Sequence, residues 1–170
     1  MAKVWLLCGK IASGKTHFAK EQRKKKKAVL LSCDDLMLTL FDSCLGKRHN
    51  EVQKKCLRFL FGQAEQLVGL GLDVMIDSGF WRRDERNWAL RYFQTRNILT
   101  LLCYFDVPEK LRRARLLDRN RLLLDSQRRE YIIDEDMLKR FDFMFEIPSM
   151  DEIDCLVNER GEEVYVKKGI

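Results

Sequence analysis

Gly9-Lys10-Ile11-Ala12-Ser13-Gly14-Lys15-Thr16 has the spacing G-x-x-x-x-G-K-[ST], and its flanks decide how it folds. Val4-Trp5-Leu6-Leu7-Cys8, just before it, is an apolar β-prone run, and the segment from Lys15 to Arg23 reads as a helix. Strand, tight loop and helix is the setting in which backbone N–H groups curve around a phosphate. The helix N-terminus adds its positive dipole end. Gly9 and Gly14 permit angles and close approaches that a Cβ would obstruct. In such a loop Lys15 reaches the β- and γ-phosphates and the Thr16 hydroxyl ligates Mg²⁺. A chance match on a glycine turn is the alternative, and the flanks speak against it.

The 170 residues suffice for one domain with a full-sized core, and 46% hydrophobic with 34% charged residues describes a folded globular chain. No apolar run approaches the ~20 residues of a membrane helix. Met1-Ala2-Lys3 leads straight into a strand, so no signal peptide is expected and the chain reads as cytoplasmic. The six cysteines show no C-x-x-C pairing. Cys8, Cys33, Cys103 and Cys155 sit in apolar runs and read as reduced core residues. With only two histidines, His17 and His49, far apart, a structural transition-metal site is not expected. The net charge of +6 suits an anionic ligand, as it suits many ordinary proteins.

Along the chain, Arg23-Lys24-Lys25-Lys26-Lys27 reads as a solvated helix end rather than a nucleic-acid patch, since no aromatics interleave. Ala28 to Cys33 is a second buried strand ending in Asp34-Asp35, with a short helix from Leu36 to Phe41. After a loop at Gly46, Asn50 is placed to cap a long helix. Val52, Cys56, Phe59, Leu60, Ala64, Leu67 and Val68 recur along it at three- and four-residue steps. Val74 to Ile76 is a third strand ending in Asp77, and a loop through Phe80 and Trp81 leads to a helix from Asp84 to Arg96. Ile98 to Phe105 is a fourth strand. The helix after Pro108 carries Leu111, Ala114 and Leu117 on one stripe and five arginines on its other faces. Residues 122–133 read as a loop or lid before a helix from Asp134 to Phe143. Ile153 to Val157 is a last strand of the main sheet, and Val164-Tyr165-Val166 an edge strand.

Strands alternating with helices imply a parallel sheet covered on both faces, with ligands beyond the carboxyl ends of the strands. The glycine loop, Asp34-Asp35 and Asp77 each follow a strand and should meet in one crevice. One of Asp34 and Asp35 either caps the next helix or faces an acceptor hydroxyl near the γ-phosphate. Asp77 either holds Mg²⁺, binds substrate or closes a turn. Phe80 and Trp81 either stack on a flat substrate or pack. Arg112, Arg115 and Arg119 share a helix face, where like charges repel by a few tenths of a kcal/mol per pair, roughly, unless a polyphosphate reverses the sign. A solvated face with Asp118 and Glu109 as partners is the alternative.

These residues resemble the P-loop kinase group that includes phage-type polynucleotide 5′-kinases and zeta-toxin-like kinases, and more closely ATP-binding proteins of the AAA_33 type. The likeness extends to about residue 150. It rests on Gly9 to Thr16, Ser32-Cys33-Asp34-Asp35, Asp73 to Arg86, and Asp106-Val107-Pro108 followed by Arg115, Arg119 and Asn120. Ile133 to Met137 and Phe145 to Pro148 extend it. The resemblance implies one P-loop kinase-like domain over 1–170, an α/β three-layer sandwich with a parallel five-stranded sheet in the order 2-3-1-4-5. It implies ATP held by Gly9 to Thr16, Mg²⁺ at Thr16 and Asp77, and catalysis by Lys15, Asp34, Arg115 and Arg119, with a lid around 115–133. Asp35, Phe80, Trp81, Arg82 and Arg86 are the substrate candidates. Polynucleotide kinases usually carry an arginine three residues after the aspartate; here that residue is Met37. The expected activity is therefore transfer of the ATP γ-phosphate to a hydroxyl of a small molecule or nucleoside, with no membrane partner. A polynucleotide or tRNA 5′-hydroxyl kinase and a non-catalytic nucleotide switch are the alternatives.

Overall fold

In the computed structural model, which describes residues 1–41, 45–124 and 130–166, the run before the glycine loop is strand β1 (Lys3–Cys8). Val4, Leu6 and Cys8 point into one core and Trp5 and Leu7 into the other, all buried. Burying each such side chain contributes roughly 1.5–3 kcal/mol. A strand apolar on both sides belongs inside a parallel sheet. Accordingly β1 lies between β3 (Val74–Gly79) and β4 (Leu99–Phe105), parallel to both. Beyond them lie β2 (Val29–Ser32) on one side and β5 (Cys155–Val157) on the other, also parallel.

The sheet order is β2-β3-β1-β4-β5-β6, so the expected five-stranded parallel sheet is corrected to six strands. β6 (Glu163–Tyr165) pairs antiparallel with β5. It joins because Asn158, Glu162 and Gly161 form a hydrogen-bonded turn that folds the chain back on itself. Glu163 then anchors it through a 2.9 Å ion pair to Lys26.

Helices cover both faces. On the side of Val4 and Leu6 pack α2 (Cys33–Phe41), α3 (His49–Gly69) and α4 (Arg83–Gln94). On the other side α1 (Lys15–Lys26) inserts Phe18 and Ala19 against Trp5, Leu7 and Phe105. Its cationic end suits a helix C-terminus. Twelve residues carry that end ~18 Å back along the sheet, away from the loop.

α1 runs on to Lys26, α3 starts at His49 so that Asn50 lies inside it rather than capping it, and two further helices differ in ways that bear on the site. α2 starts at Cys33 rather than Leu36, with the Ser32 hydroxyl accepting from the Asp35 N–H at 3.1 Å. Ser32 is therefore the cap, and Asp34 and Asp35 fill the first turn. In α5 (Glu109–Leu124) the expected apolar stripe is turned outward: Ala114 and Leu117 are exposed, while Arg112, Leu116 and Leu123 are buried. The cause is a bidentate pair between Arg112 and Asp142 of α6 (Glu135–Met144), at 3.0 and 2.7 Å. Of the expected lid, 115–124 is helix, and 125–129 lies outside the described residues. The expected reduced cysteines hold for the described Cys8, Cys33, Cys56, Cys103 and Cys155, all free and buried; Cys44 lies outside.

Arg86, only 1% exposed, ties α4 to the segment after α6. It donates to Glu152 at 3.0 and 3.3 Å and to the carbonyls of Phe80, Trp81 and Glu146. Burial works against the Glu152 carboxylate, but the hydrogen bonds from Arg86 and Ser149 outweigh it and hold its pKa down at about 2. Because the folded value lies below the ordinary 4.5, this stabilisation is complete above about pH 4.5 and is lost as pH falls toward about 2. Replacing Arg86→Met strands the buried Glu152 and should destabilise the fold by about 3–5 kcal/mol in urea titrations. The variant should also lose the part of the acid-induced destabilisation that falls between those two pH values.

Candidate nucleotide and acceptor site

The glycine loop joins β1 to α1 at the carboxyl edge of the sheet. Gly9 is needed for space: a Cβ there would meet Phe105 Cβ and Ser13 Oγ at 3.0 Å. Gly14 is needed for conformation, with φ at +93° and Arg115 Nη1 lying 3.3 Å from where its Cβ would be. Ala12 also takes a left-handed φ of 59°. Four of the loop's carbonyls accept from cationic side chains. Lys15 Nζ donates to the carbonyls of Gly9 and Lys10 at 2.9 and 2.8 Å. Arg112 donates to the Ile11 carbonyl and Arg115 to that of Ser13, both at 3.3 Å. Burial lowers the Lys15 pKa, against the attraction of Asp77, Cys8 and Asp34.

Thr16 Oγ1 donates to Asp77 Oδ2 at 2.6 Å. Asp77 lies within β3, opposite Leu7 of β1 and Ser32 of β2, so it extends the strand rather than ending it. Burial pushes its pKa up, while Lys15 and the Thr16 hydrogen bond pull it down. A hydroxyl and a carboxylate at this spacing are hard oxygen ligands that fit Mg²⁺. Among the described residues no group of three His, Cys, Asp or Glu forms a metal cage. Mg²⁺ needs none, since it typically binds through one or two carboxylates, water and substrate phosphates.

Asp34, in the first turn of α2, is open to solvent at the cleft. Protein crowded around its carboxyl, and then the Asp77 carboxylate, push its pKa up to about 6 against the pull of Lys15 and Arg119. Asp77 of β3, Lys15 after β1 and Arg119 of α5 therefore lie within electrostatic reach of Asp34. Arg119 is half-buried, and burial lowers its pKa against the pull of Glu130 and Asp34. Its Nε is 3.9 Å from the Glu130 carboxylate, beyond hydrogen-bond reach, and has no hydrogen-bond partner. Arg115 lies on the glycine loop and also donates to the Glu159 carbonyl at 2.7 Å.

The remaining sequence candidates divide. Asp35 is exposed beside Asp34, and Arg82 is exposed with its Nε 3.3 Å from Asp84. Phe80 is 1% exposed in the core, so of the two readings it packs and leaves the substrate candidates. Trp81 is half-buried and packs on Phe141, ring centroids 5.0 Å apart. Arg86 is likewise corrected: it braces the loop from inside, its donors taken by Glu152 and three carbonyls. Two contributions escaped the sequence reading. The Ser32-x-x-Asp35 spacing carried a visible capping signal. Asp142, which decides how α5 turns, carried none.

Compared with known proteins, residues 4–144 match AAA_33, described as an AAA domain. No curated protein matches. Among solved structures, a sugar kinase from Janibacter sp. HTCC2649 is similar at 16% identity and TM-score 0.67, over 94% of this chain and 87% of that one. Kti12 of Chaetomium thermophilum in complex with ADP-AlF3 is similar at 16% identity and TM-score 0.65, over 91% and 87%. The Mycobacterium tuberculosis APS kinase CysC in complex with AMPPNP and APS is similar at 21% identity and TM-score 0.59, over 74% and 73%. At such identities the likeness is one of fold.

The glycine loop yields a direct test. In Gly14→Ala the new Cβ would sit at a φ that costs an L-residue roughly 1–2 kcal/mol, and it would crowd Arg115. Binding of a fluorescent ATP analogue should weaken about tenfold or more. Urea stability should fall only by the strain itself.

Proposed function

We propose that this chain, which belongs to the AAA_33 family, is an ATP-dependent phosphotransferase that moves the γ-phosphate to a hydroxyl of a small molecule or nucleoside. One observation carries the reading: Asp77, Lys15 and Arg119 all bear on the charge of Asp34 although they are far apart in sequence. The fold is shared with proteins whose structures hold AMPPNP or ADP-AlF3, which supports ATP as the donor.

The steps follow from the groups present. The loop amides cradle the donor phosphates, apart from those of Gly9 and Ser13, which bond the Gly79 and Lys10 carbonyls, and Lys15 leaves the Gly9 and Lys10 carbonyls to meet the β- and γ-oxygens. Thr16 and Asp77 would hold Mg²⁺, which supplies charge neutralisation between those oxygens. Asp34 accepts the proton of the acceptor hydroxyl as its oxygen bonds to the γ-phosphorus and the bond to the β–γ bridging oxygen breaks. Such a base mainly orients the nucleophile, because the transition state is loose. Arg119, with Arg115 behind it, meets the charge on the transferring group.

A small acceptor is favoured over a nucleic-acid end on two grounds. Met37, at the position where polynucleotide kinases usually carry an arginine, is fully buried in the core and offers nothing to a phosphate. The exposed cations Arg23, Lys24, Lys25 and Lys27 sit at the far end of α1, so they form no groove toward Asp34.

An acceptor screen with γ-labelled ATP over sugars, nucleosides, aminoglycosides and oligonucleotide 5′ ends tests this. One class of hydroxyl should be labelled, and Asp34→Asn should cut turnover by about 10²–10⁴-fold without loss of ATP binding. Because Asp34 works as the anion, kcat/KM should rise with pH through about 6, and this limb should vanish in Asp34→Asn. ATP binding with no acceptor labelled anywhere in the panel would overturn the proposal.

A further inference from the structure

The cations at the end of α1 play no part in the nucleotide site. Lys20, Arg23, Lys24, Lys25 and Lys27 are all exposed. Among the described residues the ion pairs of α1 are Lys26 with Glu163 at 2.9 Å and His17 with Glu21 at 3.9 Å, which leaves those cations without a carboxylate partner. Like charges at three- and four-residue steps on a helix repel, and the helix C-terminus offsets this only within its last turn. Lys27 adds a second cost. It closes the helix at a left-handed φ of 51°, a position where glycine is the unstrained residue. A cation stands where an uncharged residue would fold more easily.

The fold brings apolar side chains to the same edge. α1 ends and β2 begins at the amino edge of the sheet, opposite the glycine loop. The Val29 N–H donates to the Asp73 carbonyl at 2.8 Å, so the turn after α1 lies beside the turn that leads from α3 into β3. That second turn carries Leu70, 77% exposed, and Leu72, 40% exposed. α1 and α3 cover opposite faces of the sheet, so cations from one layer and leucines from the other share one end of the molecule. The carboxylates near the leucines are taken. Asp73 accepts from the Lys3 N–H at 2.9 Å, and Glu65 pairs with Arg96 at 3.0 Å.

The unpaired cations call for an anionic partner, and the leucines decide which. A nucleic acid is met by cations interleaved with aromatic rings on which bases stack, and neither 20–27 nor 70–72 contains an aromatic residue. Exposed leucines gain nothing from a phosphate backbone. An anionic bilayer takes both groups, the cations at its headgroups and the leucines at the acyl boundary. Among the described residues no helix is long and apolar enough to cross a membrane, so the contact would be peripheral.

We propose that the amino edge of the sheet docks on an anionic lipid surface, with the α1 cations against the headgroups and Leu70 and Leu72 reaching the acyl boundary. The sequence alone expects no membrane partner, because the leucines join the cations only once β2 and β3 pair. The glycine loop lies at the opposite edge, so a docked chain would present its nucleotide site to solvent.

The probe is a vesicle of two parts phosphatidylcholine to one part phosphatidylglycerol, compared with pure phosphatidylcholine, in flotation assays. The chain should float with the anionic vesicles only, and less as salt rises. The pair Lys24→Glu and Lys25→Glu should weaken binding about tenfold or more. Leu70→Ser, which changes no charge, should weaken it about threefold or more. Lys27→Gly should weaken it about fivefold, roughly the contribution of one lysine at such a surface, while raising the urea midpoint. All variants should keep ATP-analogue binding and the circular dichroism spectrum. Absence of binding, equal binding to neutral vesicles, or binding unchanged by the paired lysine variant or by Leu70→Ser would overturn the proposal. So would tighter binding to a DNA duplex or to polyglutamate than to the anionic vesicles, which would give this edge to another polyanion. These readouts need neither ATP nor an acceptor, so they stand or fall independently of the phosphotransferase reading.

Discussion

A glycine loop becomes an anion site only if its amides face inward together, and here two arginines of α5 favour that by taking loop carbonyls. In a trans peptide the carbonyl and the N–H point in opposite directions. The carbonyls of Ile11 and Ser13 are taken from outside by Arg112 and Arg115, and those of Gly9 and Lys10 by the loop's own Lys15 in the free protein. The amides that follow are thereby turned toward the cavity. A loop of backbone dipoles held by guanidinium and ammonium groups is also left with positive charge around it. The same bonds thus shape the nest and set its preference for an anion.

This explains the orientation of α5. A helix bearing Arg112, Arg115 and Arg119 on one face would ordinarily turn that face to water and bury leucines. Here Ala114 and Leu117 are exposed instead. Burying a guanidinium is tolerable only with a well-placed partner, and Arg112 has two carboxylate oxygens of Asp142 and a loop carbonyl. Once Arg112 is fixed, Arg115 and Arg119 follow at three- and four-residue steps down the same side. They are delivered to the loop and to the neighbourhood of Asp34. One ion pair between helices so positions the cations that the proposed phosphoryl transfer would use.

What was legible in the sequence was what local rules govern. The loop, its flanking strand and helix, and the carboxylates after the second and third strands follow from hydrophobic runs and glycine spacing, and their convergence follows from parallel-sheet topology. What was hidden depended on partners distant in sequence. The turn of α5 rests on Asp142, thirty residues on from Arg112. The burial of Phe80 rests on a core built from α3 and α4. Arg86 reads as a surface arginine on α4 until Glu152 and three carbonyls are brought around it. The sixth strand was legible as an edge strand at Val164-Tyr165-Val166; its antiparallel place beside β5 rests on the turn at Asn158.

The polar groups that remain imperfectly satisfied carry the most functional information. A buried donor without a partner forfeits the ~1–3 kcal/mol that solvation would have given it, so a folded chain retains few. Arg119 keeps such a donor in its Nε, although Glu130 is close enough to supply charge. Asp34 sits near Asp77 with its pKa raised to about 6, a carboxylate kept in a place that disfavours its charge. Each is unfavourable alone, and their defects are opposite in sign. In the proposed reaction a phosphoryl group between them would meet the Arg119 guanidinium, and a hydroxyl beside it would give the carboxylate a proton to accept. Both costs carried by the free protein would then be relieved in one event, which is how a site favours the state in which charge moves over the state in which it waits.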